Sequence, residues 1–241
     1  MGESSESGAD AGVAAAAQRA RRSRRWSLLA RRHPSAFLLA AQLLSLLLYP
    51  LMDQTQSGRL LFGAVALVVV PLAVWVVRSG PFVSLVAWLL ALPAMALTVI
   101  GVLFEHEALL PLSAMLEAAL YFYAAASLIS YMLHDHEVTN DELFAAGATF
   151  TLLAWGFAYA YFVCQAWYPG SFTGIEPGRP RHWMELLFYS FTNLSATGLG
   201  DVLPVSSPAR VLTMLEQFAG VGYIATVVSR LIGLTIVRAR R

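Results

Sequence analysis

The stretch of sequence that decides the fold is Ser195-Ala196-Thr197-Gly198-Leu199-Gly200-Asp201. Its two glycines are separated by a single residue, and an aspartate follows the second. Because glycine adopts positive φ at little steric cost, Gly198 and Gly200 allow the backbone to turn successive carbonyl oxygens toward one axis. The sequence therefore predicts an extended segment whose backbone, rather than its side chains, carries the chemistry.

The segments on either side of this stretch are both predicted to be helical. The preceding one, Arg181–Asn193, contains four bulky apolar residues: Trp183, Leu186, Leu187 and Phe191. At 1.5 Å per residue it is only about 20 Å long, whereas a bilayer core is about 30 Å thick. It is therefore predicted to be a re-entrant or interfacial helix. The following run, Ala209–Val237, is long enough to cross.

The composition of the whole chain is that of a membrane protein. Of the 241 residues, 58% are hydrophobic and only 13% are charged, and mean hydropathy is +0.62, whereas soluble domains carry about 25% charged residues. A soluble globular enzyme is therefore excluded.

The net charge of +1 gives no nucleic-acid signal. The single cysteine, Cys164, has no partner for an intrachain disulfide and leaves no zinc cluster to assemble.

Apolar runs of roughly the length needed to span a bilayer recur along the chain. The five runs that precede the short helix are Ala36–Met52, Leu60–Val77, Pro81–Phe104, Leu109–Leu133 and Leu143–Tyr168. Together with Ala209–Val237, these runs predict six transmembrane helices in an all-α membrane protein. The lipid bilayer is therefore a predicted partner of the chain. Seven arginines precede the first span and three follow the last. The positive-inside rule thus places both termini in the cytoplasm, as an even number of spans requires.

Ionisable residues near or within the spans offer few sites for other chemistry. His134, His136 and Glu137 have side chains that suit a transition metal or a proton sensor, but a solvated cytoplasmic loop is the favoured interpretation. Glu117 lies within the fourth span and should face protein or water. That span has no basic residue, which argues against voltage sensing by it. The chain has no G-x-S-x-G, H-E-x-x-H or phosphate loop, so it is not expected to be an enzyme.

Gly220 and Gly222 belong to a run that fits the G-x-G-x-x-A nucleotide pattern. They lie within a long apolar helix rather than at a strand-to-helix turn, which argues against nucleotide binding. Glycines in a membrane helix more often permit close packing or bending. The two residues are therefore a candidate gating hinge.

The order short helix, glycine-patterned segment and long final helix resembles the pore module of bacterial potassium channels, in the two-helix-pore ion channel superfamily. The resemblance covers residues 138–234. Besides the filter-like stretch, it rests on Val138-Thr139, Asp141, Leu143-Phe144-Ala145-Ala146, Phe188-Tyr189-Ser190-Phe191, Ala209-Arg210, Leu215-Glu216, Gly220, Tyr223, Ala225, Arg230-Leu231 and Gly233-Leu234.

This resemblance implies a selectivity filter formed by Ala196, Thr197, Gly198, Leu199, Gly200 and Asp201. Four chains would each supply one such segment, so it also implies a homotetramer in the cell inner (plasma) membrane. Rings of carbonyl oxygens would replace the water shell of potassium ions, the permeant species, with no cofactor. Asp201 would lie at the outer mouth, and Ser195 and Glu216 are candidate supports of the filter.

Composition and the apolar runs, taken together with the resemblance, predict a layout of four parts. Residues 1–33 form a disordered, arginine-rich cytoplasmic segment and residues 34–133 four peripheral transmembrane helices. Residues 134–142 form a cytoplasmic linker and residues 143–241 the pore domain, with its outer helix, re-entrant pore helix, filter and inner helix. The resemblance implies passive potassium conduction.

One departure from the family pattern leaves alternatives open. Aligned on its glycines, the usual Thr-Val-Gly-Tyr-Gly becomes Ala196-Thr197-Gly198-Leu199-Gly200. Ala196 thus removes the hydroxyl of the innermost ion site. The alternatives are a weakly selective cation channel and a non-conducting membrane sensor with a vestigial pore module. A potassium transporter component is disfavoured because such proteins carry several pore units per chain.

Overall fold

A computed structural model describes residues 34–52, 81–104, 107–134, 140–176 and 178–239. The six α-helices among them are α1 (Pro34–Met52), α2 (Pro81–Leu103), α3 (Leu110–His134), α4 (Asn140–Trp167), α5 (Trp183–Leu194) and α6 (Ser207–Ala239). A 3-10 turn, Glu107–Leu109, precedes α3. The predicted span Leu60–Val77, the arginine-rich segment 1–33, and His136 and Glu137 lie outside the described residues.

Three of the described helices are long and apolar enough to cross a membrane. Their spanning segments are Leu110–Leu133, Asp141–Trp167 and Ser207–Arg230, which match the predicted fourth, fifth and sixth spans. The apolar segments of α1 and α2, Pro34–Tyr49 and Leu85–Gly101, are shorter. The structure is thus that of a helical membrane protein, and the full count of six spans remains a prediction.

Helix α4 is the centre of the described fold. It packs against α1, α3, α5 and α6, while α2 packs against α3. Its buried residues include small ones, Ala145, Ala148, Ala154 and Ala158, which allow helix backbones to approach closely in a membrane protein. The predicted outer helix of the pore, α4, therefore also connects α5 and α6 to the helices that precede it.

The amino-terminal ends of α1 and α4 are joined by a carboxylate. Asp141, in the first turn of α4, accepts hydrogen bonds from the backbone N–H of Ser35 at 3.3 Å and from its hydroxyl at 3.1 Å. A carboxylate is favoured at a helix amino terminus because the unsatisfied N–H groups there carry partial positive charge. Asp141 lies at the start of two helices at once and holds them together.

A short pair of strands closes the loop that contains α5 and the glycine-patterned stretch. Strand β1 (Phe172–Thr173) pairs antiparallel with β2 (Leu203–Pro204), Phe172 facing Pro204. The N–H of Val205 also donates to the carbonyl of Ser171 at 2.9 Å. The sequence did not predict these strands, because two residues are too few for a recognisable alternation. They bring the two ends of the loop together near the carboxyl end of α4.

Candidate functional site: the pore segment

Residues 195–198 begin the pore segment, which comprises residues 195–201, and they satisfy the last carbonyl groups of α5. The backbone N–H groups of Thr197 and Gly198 both donate to the carbonyl oxygen of Thr192, each at 2.9 Å. The N–H of Ala196 donates to the carbonyl of Asn193 at 3.0 Å. The pore segment is therefore anchored to the carboxyl end of the short helix through its backbone, whatever its side chains are.

The backbone of the pore segment enters the left-handed region twice. Gly198 has φ of +66° and Ala196 has φ of +57°. For a residue with a Cβ this region costs about 1–2 kcal/mol, and a β-branched residue is rarer there still. This backbone therefore favours alanine over threonine at position 196, which gives a structural reason for the departure from the family pattern.

The side chains of the pore segment are exposed in the single chain. Leu199 is 66% exposed, and every residue from 195 to 201 is exposed. The hydroxyl groups of Ser195 and Thr197 lie 2.7 Å apart and form a hydrogen bond. Ser195 and Thr197 flank Ala196 in the sequence, so they carry the hydroxyl groups nearest in the chain to the position where the family pattern has threonine. In this structure the two hydroxyl groups bond to each other.

Polar side chains fix α5 to α6 behind the pore segment. The Gln217 amide donates to Oδ1 of Asn193 at 2.9 Å, and the Asn193 amide donates to the Tyr189 carbonyl at 2.8 Å. The hydroxyls of Tyr189 and Thr213 lie 2.7 Å apart. Because buried polar groups are costly to leave unpaired, these bonds fix how α5 is rotated against α6.

Glu216 lies at the junction of three helices. It is 0% exposed, and its two carboxyl oxygens are hydrogen-bonded by Tyr161 of α4 and Ser190 of α5. The Ser190 hydroxyl also lies 2.7 Å from the carbonyl oxygen of Ala154. The structure thus brings the candidate support Glu216 against the short helix, one turn before the pore segment begins. The sequence did not predict that Tyr161 and Ser190 bond Glu216, and Ser190 was noted only as part of the motif Phe188–Phe191, although polar residues inside apolar spans generally require a partner.

The glycines of α6 differ in their surroundings. A Cβ built on Gly220 would overlap the backbone carbonyl group of Leu194, the last residue of α5, whereas a Cβ on Gly222 meets nothing within 4 Å among the described residues. Gly220 therefore allows α6 to pass directly against the end of α5. This close approach is a role distinct from the hinge that the sequence suggested for both glycines.

The connection before α5 is held by a buried arginine. The side-chain amide of Gln165 brackets the backbone of Arg181, donating to its carbonyl at 2.8 Å and accepting from its N–H at 2.9 Å. The Arg181 guanidinium donates to the carbonyl oxygens of Glu176 and Arg179. The loop that leads into α5 is thus tied to the carboxyl end of α4.

Glu185 caps the start of α5 and pairs with the arginines before it. It accepts from the His182 N–H at 2.6 Å and forms an ion pair with Arg179 at 2.9 Å. Partial burial alone would raise the pKa of Glu185, but the His182 N–H and the charges of Arg179 and Arg181 outweigh it and hold this pKa below its ordinary value. The ionised form therefore stabilises the start of the short helix.

We expect acid to weaken this cap. Because the pKa of Glu185 is lower in the folded protein, its contribution is complete above the unfolded value of about 4.3 and is lost as the pH falls through the lower folded value. Thermal unfolding of detergent-solubilised protein between pH 3 and 7 measures the effect. Glu185→Gln should flatten the acid limb. Glu176→Gln, at a side chain that is 69% exposed and also pairs with Arg179, should leave it nearly unchanged, because exposed ion pairs contribute little. An identical limb in Glu185→Gln and wild type would contradict the assignment.

An ion pair joins the carboxyl-terminal half of α6 to the start of α4. Arg230 Nη2 lies 3.2 Å from Glu142 Oε1, and the two side chains are 18% and 3% exposed. An apolar cavity of about 260 Å³ adjoins the pair, between α3, α4 and α6. Of the two neighbouring acids at the start of α4, Glu142 pairs with Arg230, whereas Asp141 bonds Ser35.

We expect this pair to show measurable energetic coupling. A double-mutant cycle with Glu142→Gln and Arg230→Gln, followed by thermal or denaturant unfolding, should give a coupling free energy of about 0.5–3 kcal/mol. The reason is that each single change leaves a partly buried charge facing a neutral amide. Arg210→Gln replaces Arg230→Gln in the control cycle with Glu142→Gln. Arg210 is exposed and bonds the Pro204 carbonyl instead, so this cycle should show no coupling. Strict additivity of the two changes would show that the contact contributes nothing.

The candidate metal ligands receive no structural support within the described part of the chain. His134 is the last residue of α3, and no group of three or more His, Cys, Asp or Glu side chains among the described residues could hold a metal ion. The other two candidates, His136 and Glu137, lie outside the described residues. The metal-site hypothesis therefore remains a prediction.

Comparison with known families identifies the class of protein to which this region is similar. Residues 147–236 match the family model described as "Ion channel". No curated protein and no solved structure matches the chain significantly. The matched region begins within α4 and includes α5, the pore segment and nearly all of α6. The match supports ion channel function for this region of a membrane protein.

Proposed function

We propose that the chain is a subunit of a homotetrameric potassium, or potassium-preferring, channel in the cell inner membrane. The observation that carries the proposal is the pore segment, anchored by its backbone to the carboxyl end of α5. Its left-handed turns at Ala196 and Gly198 give consecutive carbonyl groups directions that they do not have in an ordinary β-strand. Four such segments around one axis would stack rings of carbonyl oxygens for dehydrated cations.

Exposure of the pore segment and of one side of α6 supports an assembly of several chains. Large apolar residues remain exposed along α6; they include Val211, Met214, Leu215, Phe218 and Val221. Leu199 and Phe188 are also exposed, at 66% and 51%. A tetramer would cover part of this surface, and the bilayer the rest.

The proposed pore also gives roles to α5 and Asp201. The carboxyl end of a helix carries partial negative charge, so α5 would favour a cation in the cavity beneath the pore segment. Asp201 would raise the local cation concentration at the outer mouth. Both termini would be cytoplasmic, as the terminal arginines favour.

Tracer flux into liposomes that contain the purified protein tests the proposal. Wild type should pass potassium well above empty liposomes, and Asp201→Asn should pass it more slowly, with the largest difference at low ionic strength, where the mouth charge is least screened. Glu176→Gln, at an exposed acid away from the pore segment, is the matched control. Absence of any cation flux across varied pH, voltage and divalent concentration would refute conduction.

A weakly selective cation channel is the second candidate, and Ala196 favours it. Without a hydroxyl at this position the innermost ion site loses four ligands, one from each subunit. Parallel flux of potassium and sodium separates the two candidates, because equal rates would assign weak selectivity. A non-conducting sensor that binds metal through His134, His136 and Glu137 would instead show no flux, together with a calorimetric heat lost in His136→Ala.

A further inference from the structure

A carboxyl group lies buried among the helices that precede the pore segment. Glu117 of α3 is 5% exposed. Thr98 of α2 donates a hydrogen bond to its Oε1 at 2.9 Å, and the hydroxyl group of Tyr159 of α4 lies close enough to interact with it electrostatically. The expectation that Glu117 faces protein or water is thus confirmed, with protein as its environment. Three helices meet at one ionisable group.

No fixed positive charge accompanies this carboxyl group in the described part of the chain. The ion pairs of the described residues all involve other acids. The titratable side chains that act on Glu117 are Tyr121 of α3 and Tyr159 of α4, and α2 contains no titratable residue. An ionised carboxylate inside a membrane costs about 3 kcal/mol, so a proton is a ligand of the right charge and size for this site.

One of the residues that act on Glu117, Tyr159, also contacts the start of the pore helix. Tyr121 and Tyr159 are stacked, with ring centroids 5.6 Å apart and an interplanar angle of 12°. Tyr159 and Trp155 each pack against Trp183, at 5.6 and 5.7 Å. We call Tyr121, Trp155, Tyr159 and Trp183 the aromatic cluster. Because Trp183 is the first residue of α5, this cluster connects the buried carboxyl group to the helix that carries the pore segment.

Two polar groups of the aromatic cluster have no hydrogen-bond partner among the described residues. They are the hydroxyl of Tyr121, at 0% exposure, and the indole N–H of Trp155, at 3%. Buried polar groups are normally paired, so these two are available when the bonds around Glu117 change. Protonation of Glu117 turns one of its carboxyl oxygens from an acceptor into a donor. A hydrogen bond from the Tyr159 hydroxyl to that oxygen is then weakened or lost.

We propose that Glu117 is a proton-binding site that controls conduction, by setting the position of Tyr159 against Trp183 and thereby the start of the pore helix. Its control of conduction rests on the proposed channel function, whereas binding of the proton does not. In the ionised state Thr98 and Tyr159 both donate to the carboxylate. In the protonated state the carboxyl group is a donor, and the aromatic cluster rearranges.

Infrared difference spectroscopy tests proton binding directly. Full-length protein in vesicles of phosphatidylethanolamine and phosphatidylglycerol is titrated with acid, and the carboxyl C=O band of a buried protonated acid is followed. The band should be present in wild type and in Glu176→Gln, and lost in Glu117→Gln. Tyr159→Phe keeps the carboxyl group and removes one donor, so it should shift the band and its titration midpoint. A band unchanged in Glu117→Gln and in Tyr159→Phe would overturn the site, and so would a band that moves with sodium at fixed pH.

Two further readouts separate this inference from the channel proposal. Tryptophan fluorescence should change with pH in wild type and lose that change in Glu117→Gln, because Trp183 and Trp155 belong to the aromatic cluster. Potassium flux should lose the corresponding part of its pH dependence in the same variant. Flux with an unaltered pH profile in Glu117→Gln would overturn control of conduction. If no variant conducts, the channel proposal fails, and the infrared and fluorescence titrations still decide whether Glu117 binds the proton.

Discussion

Replacement of Gly198 by alanine is expected to abolish potassium flux. Gly198 has φ of +66°, where a Cβ costs about 1–2 kcal/mol, and a tetramer would incur this cost in every subunit. The strain relaxes when the backbone leaves the left-handed region, and the carbonyl groups on both sides of position 198 then turn away from the pore axis. The resulting loss should be complete in tracer flux, while the yield of folded protein falls little.

Gly170→Ala is the matched control for this experiment. Gly170 has φ of +79°, and a Cβ built there meets nothing within 4 Å, as is also true at Gly198. The two substitutions therefore introduce similar local strain, but Gly170 lies in the turn between α4 and β1. Gly170→Ala should conduct normally. Wild-type flux in Gly198→Ala would show that the pore segment does not form the conduction path.

Replacement of Gly220 by alanine is expected to have the largest effect on folding. Its Cβ would overlap the backbone carbonyl group of Leu194, and a backbone group cannot move aside as a side chain can. Helix α6 must therefore shift away from α5, which also strains the bond between Gln217 and Asn193. Overpacking of a core costs about 1–3 kcal/mol and occasionally more, and this contact belongs at the upper end. Thermal unfolding and the yield of folded protein measure the loss, and flux should fall with them.

Gly222→Ala separates close packing from hinge bending. Both residues lie near the middle of α6, but a Cβ on Gly222 meets no atom within 4 Å among the described residues. Alanine there should stabilise the helix by about 0.5–1 kcal/mol, because glycine is the weaker helix former. If the glycines act as a hinge, both variants should fold normally and change channel opening. If Gly220 acts through close approach, only its variant should fail to fold.

The pore segment and the helices around it were largely predictable because their signals are local. The length of the apolar runs, the short segment before Ser195 and the two glycines after it depend only on neighbouring residues in the chain. Helices α3 to α6 accordingly lie close to their predicted bounds. The ion channel match over residues 147–236 agrees with the resemblance on which the site was predicted. The short strands β1 and β2 were not predictable, since their pairing depends on a loop that closes over 30 residues.

The sequence by itself determined that this chain enters a membrane as a bundle of helices, and that a glycine-patterned stretch lies between a short helix and a long one. Hydrophobic length and glycine conformation are properties of short stretches, so no tertiary contact was needed for either. Only the tertiary structure decided that Glu216 bonds Tyr161 and Ser190, that Gly220 meets Leu194, and that Glu117 shares Tyr159 with the aromatic cluster. Those contacts depend on the rotation and crossing of packed helices, which residues far apart in the chain set together.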